Sequence, residues 1–430
     1  MKKQSLLVLV LSAFLLTGCV NAAPASEPSE PEPSSEPSNQ STEPSQQSPS
    51  SQGQSSQQSQ SAASTWSTSY PAPSGTALQL TAPENDIHTD LQYSYLKDPN
   101  WRNIKAYIPT TGADGGNKGD KSKPKALELK FEDLADAEIY YVQVSKDNTF
   151  ASAPVLTTTA KKYYLVNAEI GTKYYYKAAL SEEALASATV KEYQVADLAP
   201  RNVDVGGVIN FRDAGGWKTT LVPNGVVKQG LYYRCAQFNS GRTNNITAAG
   251  LKTIKELNIK VDIDMRDSYN VPSTSPINTD DHPVEILKAS VASGSEDGRW
   301  EGDHSKDHNI AATYKKIFEA IAVADEKPIA LHCTHGADRT GIVSFFLLGL
   351  CGVSVDDLGR DYVLTRYAGE RAVLPETEFD KWVTKTMNLE GATFADKTYK
   401  HLKDDFKIAA DTLETIREKF VPGYTRPAGA

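Results

Sequence analysis

Cysteine is scarce in this chain of 430 residues, which has four. Apart from Cys19, only Cys235, Cys333 and Cys351 remain. So odd and sparse a set excludes a disulfide framework as the main source of stability and leaves at least one thiol to be explained. A basic surplus is also lacking. With a net charge of -9 and a pI near 5.4, the chain has no basic stripe to meet nucleic acid or an anionic membrane surface, so no nucleic-acid partner is expected. Apolar runs are short throughout. "FFLLGL", Phe345 to Leu350, suits a core helix and cannot span a bilayer. Lys and Arg are missing altogether from Asn21 to Gly75, where Ser, Gln, Pro and Glu dominate. Such a stretch has too little apolar surface to offset its ordering entropy, and residues 20–75 are expected to be a disordered spacer.

The chain opens with "MKKQSLLVLVLSAFLLTGC", two lysines followed by an apolar run and small residues, which is the layout of a secretory signal over residues 1–19. Its end, Leu16-Thr17-Gly18-Cys19, resembles the bacterial lipobox. That resemblance implies lipidation at Cys19 and a lipid-anchored protein at the cell membrane, facing outside the cytoplasm. Ordinary signal cleavage beside an incidental cysteine is the alternative.

Residues 124–200 alternate and are rich in Tyr, Val and Thr, as in "ALELKF", "AEIYYVQVSKD" and "KKYYLVNAEIGTKYYYKAAL". They read as strands. The layout, including the Gly-Thr-x-Tyr corner from Gly171 to Tyr174, resembles a fibronectin type III module, a β-sandwich that could take a surface ligand. Its tyrosine stripe is read as sheet packing, since strands select aromatics. Residues 76–123 contain "TTGADGGNKGDKSKP" and read as loop-rich.

From residue 201 to 430 strand patterns alternate with helical ones: "GLYYRC", "TAAGLKTIKELNI", "KVDIDMRD", "IAATYKKIFEAIAVA", "KPIALHC", "GIVSFFLLGL". This indicates an α/β domain with a largely parallel sheet, whose sites form at the carboxyl ends of strands. "HCTHGADRTG", His332 to Gly341, lies at such an end. Cys333 and Arg339 stand in Cys-x5-Arg spacing between a strand and a helix. Backbone N–H groups in such a turn, with the helix's positive end, can hold an oxyanion and lower the pKa of a central cysteine. Cys333 would then be the nucleophile and Arg339 a planar clamp for phosphate oxygens. Gly336 lets the backbone approach closely. The hydroxyl of Thr340 can donate to the sulfur.

These residues, with "INFRDAGGW", "GLYYR" and "DIDMR", resemble the atypical bacterial tyrosine-protein phosphatases over Asp204 to Val421. The resemblance implies a tyrosine phosphatase-like α/β domain, its largely parallel sheet flanked by helices and preceded by the β-sandwich module. It implies phosphomonoester hydrolysis through a cysteinyl-phosphate, with no metal and no cofactor. Thr334, His335, Gly336, Ala337 and Thr340 would line the phosphate. In this family the loop usually reads HCxAGKDRTG. Here His335 replaces the Ala and Ala337 the Lys, a lysine linked to extra phosphates on phosphoinositides or inositol phosphates. A phosphorylated protein is therefore the expected substrate and an inositol phosphate the alternative. A catalytically inactive surface-binding protein is a third reading, opposed by the intact Cys333, Asp338 and Arg339.

The same residues admit other readings. A metal site of His332, Cys333, His335 and Asp338 lacks a second ligand cluster and fits no common zinc spacing. Arg212 and Asp213 read as structural, Asp264 and Arg266 as bordering the pocket, and Cys235 and Cys351 as free thiols. Two residues compete as general acid. Asp338 is fixed by the loop, whereas Asp303 in "GRWEGDHSKD" would need a moving lid.

Overall fold

Central strands of this protein are apolar and hidden on both faces, which calls for helices on either side. The computed structural model describes residues 73–108, 120–239, 245–291, 300, 310–368 and 376–427. Its main sheet has six strands in the order β11-β10-β12-β9-β8-β7: Glu285–Lys288, Val261–Asp264, Ile329–His332, Tyr232–Cys235, Arg212–Asp213 and Arg201–Asn202. The first four run parallel, whereas β8 and β7 join antiparallel. Parallel character thus ends at β9. Every residue of β9, β10 and β12 is buried, including Arg234, Asp262, Asp264 and His332. Such polar groups persist inside a sheet only when paired.

Helices α3 (Ala248–Glu256), α4 (Ile310–Ile321) and α5 (Asp338–Leu350) follow strands of this sheet. Beyond them come α6 (Val355–Val363), α7 (Glu376–Met387), α8 (Phe394–Asp404) and α9 (Ala410–Phe420). Helix α5 is apolar all round and almost wholly buried, so it forms the domain's axis. Phe345 meets the rings of Phe379, Trp382 and Phe394, and Phe346 meets Tyr314 and Phe406.

Most of "TTGADGGNKGDKSKP" lies outside the described residues, and the rest of the segment expected to be loop-rich includes short helices. Helices α1 (Asp90–Leu96) and α2 (Ile104–Tyr107) flank a 3-10 turn at Trp101–Asn103. Thr89 and Gln92 form a capping box at the start of α1. Tyr95, Trp101, Ile104 and Tyr107 are in the same hydrophobic cluster as α5. Trp101 stacks edge-on to Phe379 at 5.3 Å and crosses α6 at Gly359, where an added Cβ would lie 2.5 Å from the indole. Arg102 pairs with Asp380, and Arg360 donates to the carbonyl of Asp98 (2.7 Å). These short helices are held by partners far along the chain, which no local pattern shows.

Residues 127–194 form two antiparallel sheets, β1-β4 (Leu127–Lys130, Lys162–Leu165) and β3-β2-β5-β6 (Leu156–Thr158, Tyr140–Ser145, Lys173–Ala179, Lys191–Gln194). Leu127 of one packs with Tyr174 of the other. The hydroxyl of Tyr174 accepts the N–H of Glu169 (2.9 Å), and Tyr140 and Tyr176 are buried too, as a packing stripe requires. The module is tied to the main sheet. Ile170 exchanges two hydrogen bonds with the Gln229 amide, Arg201 donates to the carbonyl of Asn167 (2.7 Å), and the Asn167 side chain pairs with the Asp204 backbone.

Candidate active site

Strand β12 ends at His332, and the chain must turn at once into α5. The turn is held from outside through its carbonyls. Gln237 N–H donates to Thr334 O (3.2 Å), the Asn210 amide to His335 O (3.0 Å) and Gly336 O (3.2 Å), and Arg234 Nη2 to Gly336 O (2.8 Å) and Ala337 O (3.4 Å). In a planar trans peptide the C=O and the next N–H point in opposite directions. Fixing the carbonyls of residues 334–337 outward therefore turns the N–H groups of His335, Gly336, Ala337 and Asp338 inward, as an anion-binding nest needs. Gly336 makes the turn at φ +68°, where a Cβ would come within 2.2 Å of the Cys235 carbonyl. No other residue fits there.

Cys333 lies at the centre and is buried. Burial alone would push its thiol up. The Arg339 guanidinium and donation from the Thr340 hydroxyl and N–H outweigh burial and the opposing charge of Asp338, so the thiol is held below its ordinary value. The Thr340 hydroxyl is buried and has no oxygen or nitrogen partner among the described residues, which leaves it to the sulfur. Arg339 is aimed in advance. Its Nη1 donates to Met265 O and Val291 O (both 3.1 Å), its Nη2 to Thr334 Oγ1 (3.3 Å), and Asp267 lies 3.7 Å away. A thiolate, a fixed guanidinium and a ring of N–H groups can bind a tetrahedral oxyanion and attack it.

Two buried charge clusters stand behind the loop. Beside Cys333, His332 Nδ1 faces the Cys333 carbonyl (3.1 Å), while its Nε2 lies 3.1 Å from Asp262 and 3.8 Å from Asp264. Burial lowers the affinity of His332 for a proton, but the two carboxylates outweigh it and hold the imidazole above its ordinary value. Ser275 donates to Asp262 (2.6 Å), and Arg266 grips both oxygens of Asp264. The second cluster joins Arg212 and Arg234 to Asp361.

A model of the tyrosine phosphatase family matches residues 203–426. The chain belongs to the tyrosine phosphatase family. Among the relatives of this family member, a tyrosine-protein phosphatase of Nostoc commune is 26% identical over 139 residues, 28% of this chain and 45% of the relative. The chain therefore spans less than half the length of that curated relative. Two solved chains of P. aeruginosa TpbA, the second in complex with pTyr, are 15% and 14% identical. They match 39% of this phosphatase-family chain and 88% and 95% of their own lengths, with TM-scores of 0.26 and 0.23. That likeness is too loose to bear on the site.

Of the residues this family member was expected to use, Cys333, Thr334, His335, Gly336, Ala337, Asp338, Arg339 and Thr340 come together in one turn. Asp303 and Cys19 lie outside the described residues. Asp338 opens α5 and is half-buried, whereas Ala337 is fully buried. Arg212 and Asp213 are buried on β8 and lie outside the turn. Asp213 pairs with Arg201 (3.2 Å) and accepts the N–H groups of Gly215 and Gly230. Asp264 and Arg266 are buried and bound to each other, so the part of "DIDMR" that reaches Arg339 is the Met265 carbonyl. Cys235, Cys333 and Cys351 are unbridged. Sequence reasoning missed Asn210, Arg234, Asp262 and Asp361. Polar residues inside otherwise buried strands were a signal for Arg234 and Asp262. Nothing marked Asp361 in its helix.

Proposed function

We propose that this protein hydrolyses phosphomonoesters, foremost phosphotyrosine in proteins, with Cys333 as nucleophile. The carrying observation is the Cys333 thiol, held below its ordinary value by Arg339 and Thr340 at the focus of inward N–H groups. In the first step the sulfur attacks phosphorus and the bond to the leaving oxygen breaks as Asp338 supplies its proton. Water then attacks the phosphocysteine, giving its proton to the Asp338 carboxylate and releasing phosphate and the thiolate. Arg339 follows the equatorial oxygens through both steps. Family membership and a curated tyrosine-protein phosphatase among the relatives support this reading. Ala337, standing where phosphoinositide-active relatives have lysine, favours a single phosphate.

The rest of the reading concerns delivery. Lipidation at Cys19 would tether the enzyme outside the cytoplasm, with residues 20–75 as spacer. Residues 124–200 would act as a fibronectin type III-like module for a surface partner, a reading supported by the Tyr174 corner. The test compares phosphate release from phosphotyrosine peptide, phosphoserine peptide, inositol hexakisphosphate and a phosphoinositide across pH. Turnover fastest on phosphotyrosine is expected, and a phosphocysteine peptide should be trapped by acid quench. Faster release from the inositol compounds would replace the protein substrate, and loss of phosphatase activity from all four would end the reading. Mass spectrometry of the N-terminal peptide from the native membrane tests the anchor.

A further inference from the structure

The charge cluster under the loop is out of balance. Arg212 Nε donates to one oxygen of Asp361 (2.8 Å) and Nη2 to its carbonyl (2.7 Å), and Arg234 pairs with the other oxygen. Two guanidiniums share one carboxylate, and none of the three side chains is more than 3% exposed. Among the described residues, neighbouring charges do not make up the difference. Arg201 is taken by Asp213 and Glu169, while Asp262 and Asp264 are matched by His332 and Arg266. The titratable groups facing the pair from β9, Tyr232 and Cys235, are both pushed up, chiefly by burial, and stay neutral at physiological pH.

One positive charge is therefore left over, in a place water cannot screen. An uncompensated buried charge is expensive, and an anion within reach would relieve it. The cluster points at one place. Arg234 Nη2 donates to the outward carbonyls of Gly336 and Ala337, and its Nε has no hydrogen-bond partner among the described residues. A Cβ on Gly341 would lie 3.6 Å from the same Nη2, so the guanidinium sits beneath the first turn of α5. The positive end of that helix faces the same nest.

We propose that Arg212, Arg234 and Asp361 form a buried cationic floor whose counter-ion is the occupant of the loop: the Cys333 thiolate when the site is empty, and the phosphoryl dianion when it is filled. Arg212 and Arg234 are then positioning residues that set oxyanion affinity without touching the oxyanion. A pure scaffold would satisfy the loop carbonyls equally well with a neutral cluster. Burial, and after it the charge of Arg234, lower the Arg212 guanidinium to about 10 against the opposing pull of Asp361.

This inference rests on the phosphatase reading and is tested with tungstate, a non-hydrolysable oxyanion. Arg212 reaches the loop only through the Asn210 side chain, which it holds by one hydrogen bond, so Arg212→Met removes the surplus charge while Arg234 keeps its hydrogen bonds. Tungstate affinity should fall about tenfold or more, the order expected when one buried unit charge near an oxyanion is removed at an effective dielectric near 20. The pH midpoint for iodoacetamide alkylation of Cys333 should rise by about one unit. Arg212→Lys should restore most of both. Equal losses in the two variants, with the alkylation midpoint unmoved, would mean a scaffold role and overturn the proposal. A measurement on the unaltered protein avoids any folding defect. The Arg212 13Cζ resonance should titrate below an ordinary arginine and move to higher pH when tungstate binds. Tungstate binding that leaves this titration unmoved overturns the cationic floor alone, whereas failure of tungstate to bind or to protect Cys333 overturns the phosphate site and the floor with it.

Discussion

Cys333 to Thr340 and Asp86 to Tyr107 differ in where their meaning lies. The loop carries nucleophile, clamp, hinge glycine and sulfur donor side by side, since a turn that wraps one phosphate group is only a few residues long. The N-terminal segment carries no chemistry. Trp101 is fully buried, but against Gly359 and Phe379, hundreds of residues away. The active site is thus local in sequence, and the body that supports it is not. A polar stretch can still be core when distant helices leave a slot for its aromatics.

The largest effect expected tests the local side of this contrast. Cys333→Ser should bring turnover down to the uncatalysed level while tungstate or a phosphotyrosine peptide still binds, because the loop N–H groups and Arg339 remain. Calorimetry and single-turnover kinetics would show it, and wild-type turnover in this variant would remove the covalent step.

The distant side is tested next. Deleting residues 1–72 should leave turnover of a small soluble substrate unchanged, whereas extending the deletion through Tyr107 should yield protein without a cooperative unfolding transition. Trp101→Ala alone should cost about 3–5 kcal/mol in urea unfolding, the range for emptying a buried tryptophan site, with kcat of the remaining folded enzyme unaltered. A cost below about 1 kcal/mol would make the segment an accessory of the domain.

A smaller loss is expected at the acid. Asp338→Asn should slow hydrolysis of phosphotyrosine about a hundredfold and of an activated aryl phosphate much less, since an activated phenol leaves without a proton. If Asp303→Asn shows that selective loss instead, the acid lies outside the loop, and the chemistry is not local in sequence.

The mildest test is pH. At pH 7 iodoacetamide should label Cys333 ahead of Cys235, whose thiol burial pushes up, and ahead of Cys351, pushed up to about 12. Peptide mapping would read the order. A thiol depressed in the folded state stabilises the fold above its ordinary pKa and loses that contribution as pH falls through the lowered one. Cys333→Ser should therefore cost more stability in alkaline than in acidic buffer.

Much of the site was legible because its residues are neighbours. The supports were harder to see. Asn210 and Arg212 were visible within "INFRD", but a motif does not say which carbonyl a side chain holds. Asp361 gave no signal, as one aspartate in a polar helix looks like any other until the helix is packed. Four parallel strands with an antiparallel edge, where a largely parallel sheet was expected, follow from β7 and β8, pairs too short to register in periodicity.

By itself the sequence determined the reactive loop, the alternation of β9, β10 and β12 with α3, α4 and α5, and the apolar character of α5. These depend on spacing and hydrophobic pattern within short windows, which the backbone turns directly into geometry. Tertiary structure alone decided that residues 90–107 belong to the core, that Arg266 serves Asp264 while the Met265 carbonyl serves Arg339, and that two arginines share Asp361 beneath the phosphate loop. Each of those depends on which groups meet once water is excluded, and the pairing of buried charges is settled by three-dimensional proximity, which no local pattern encodes.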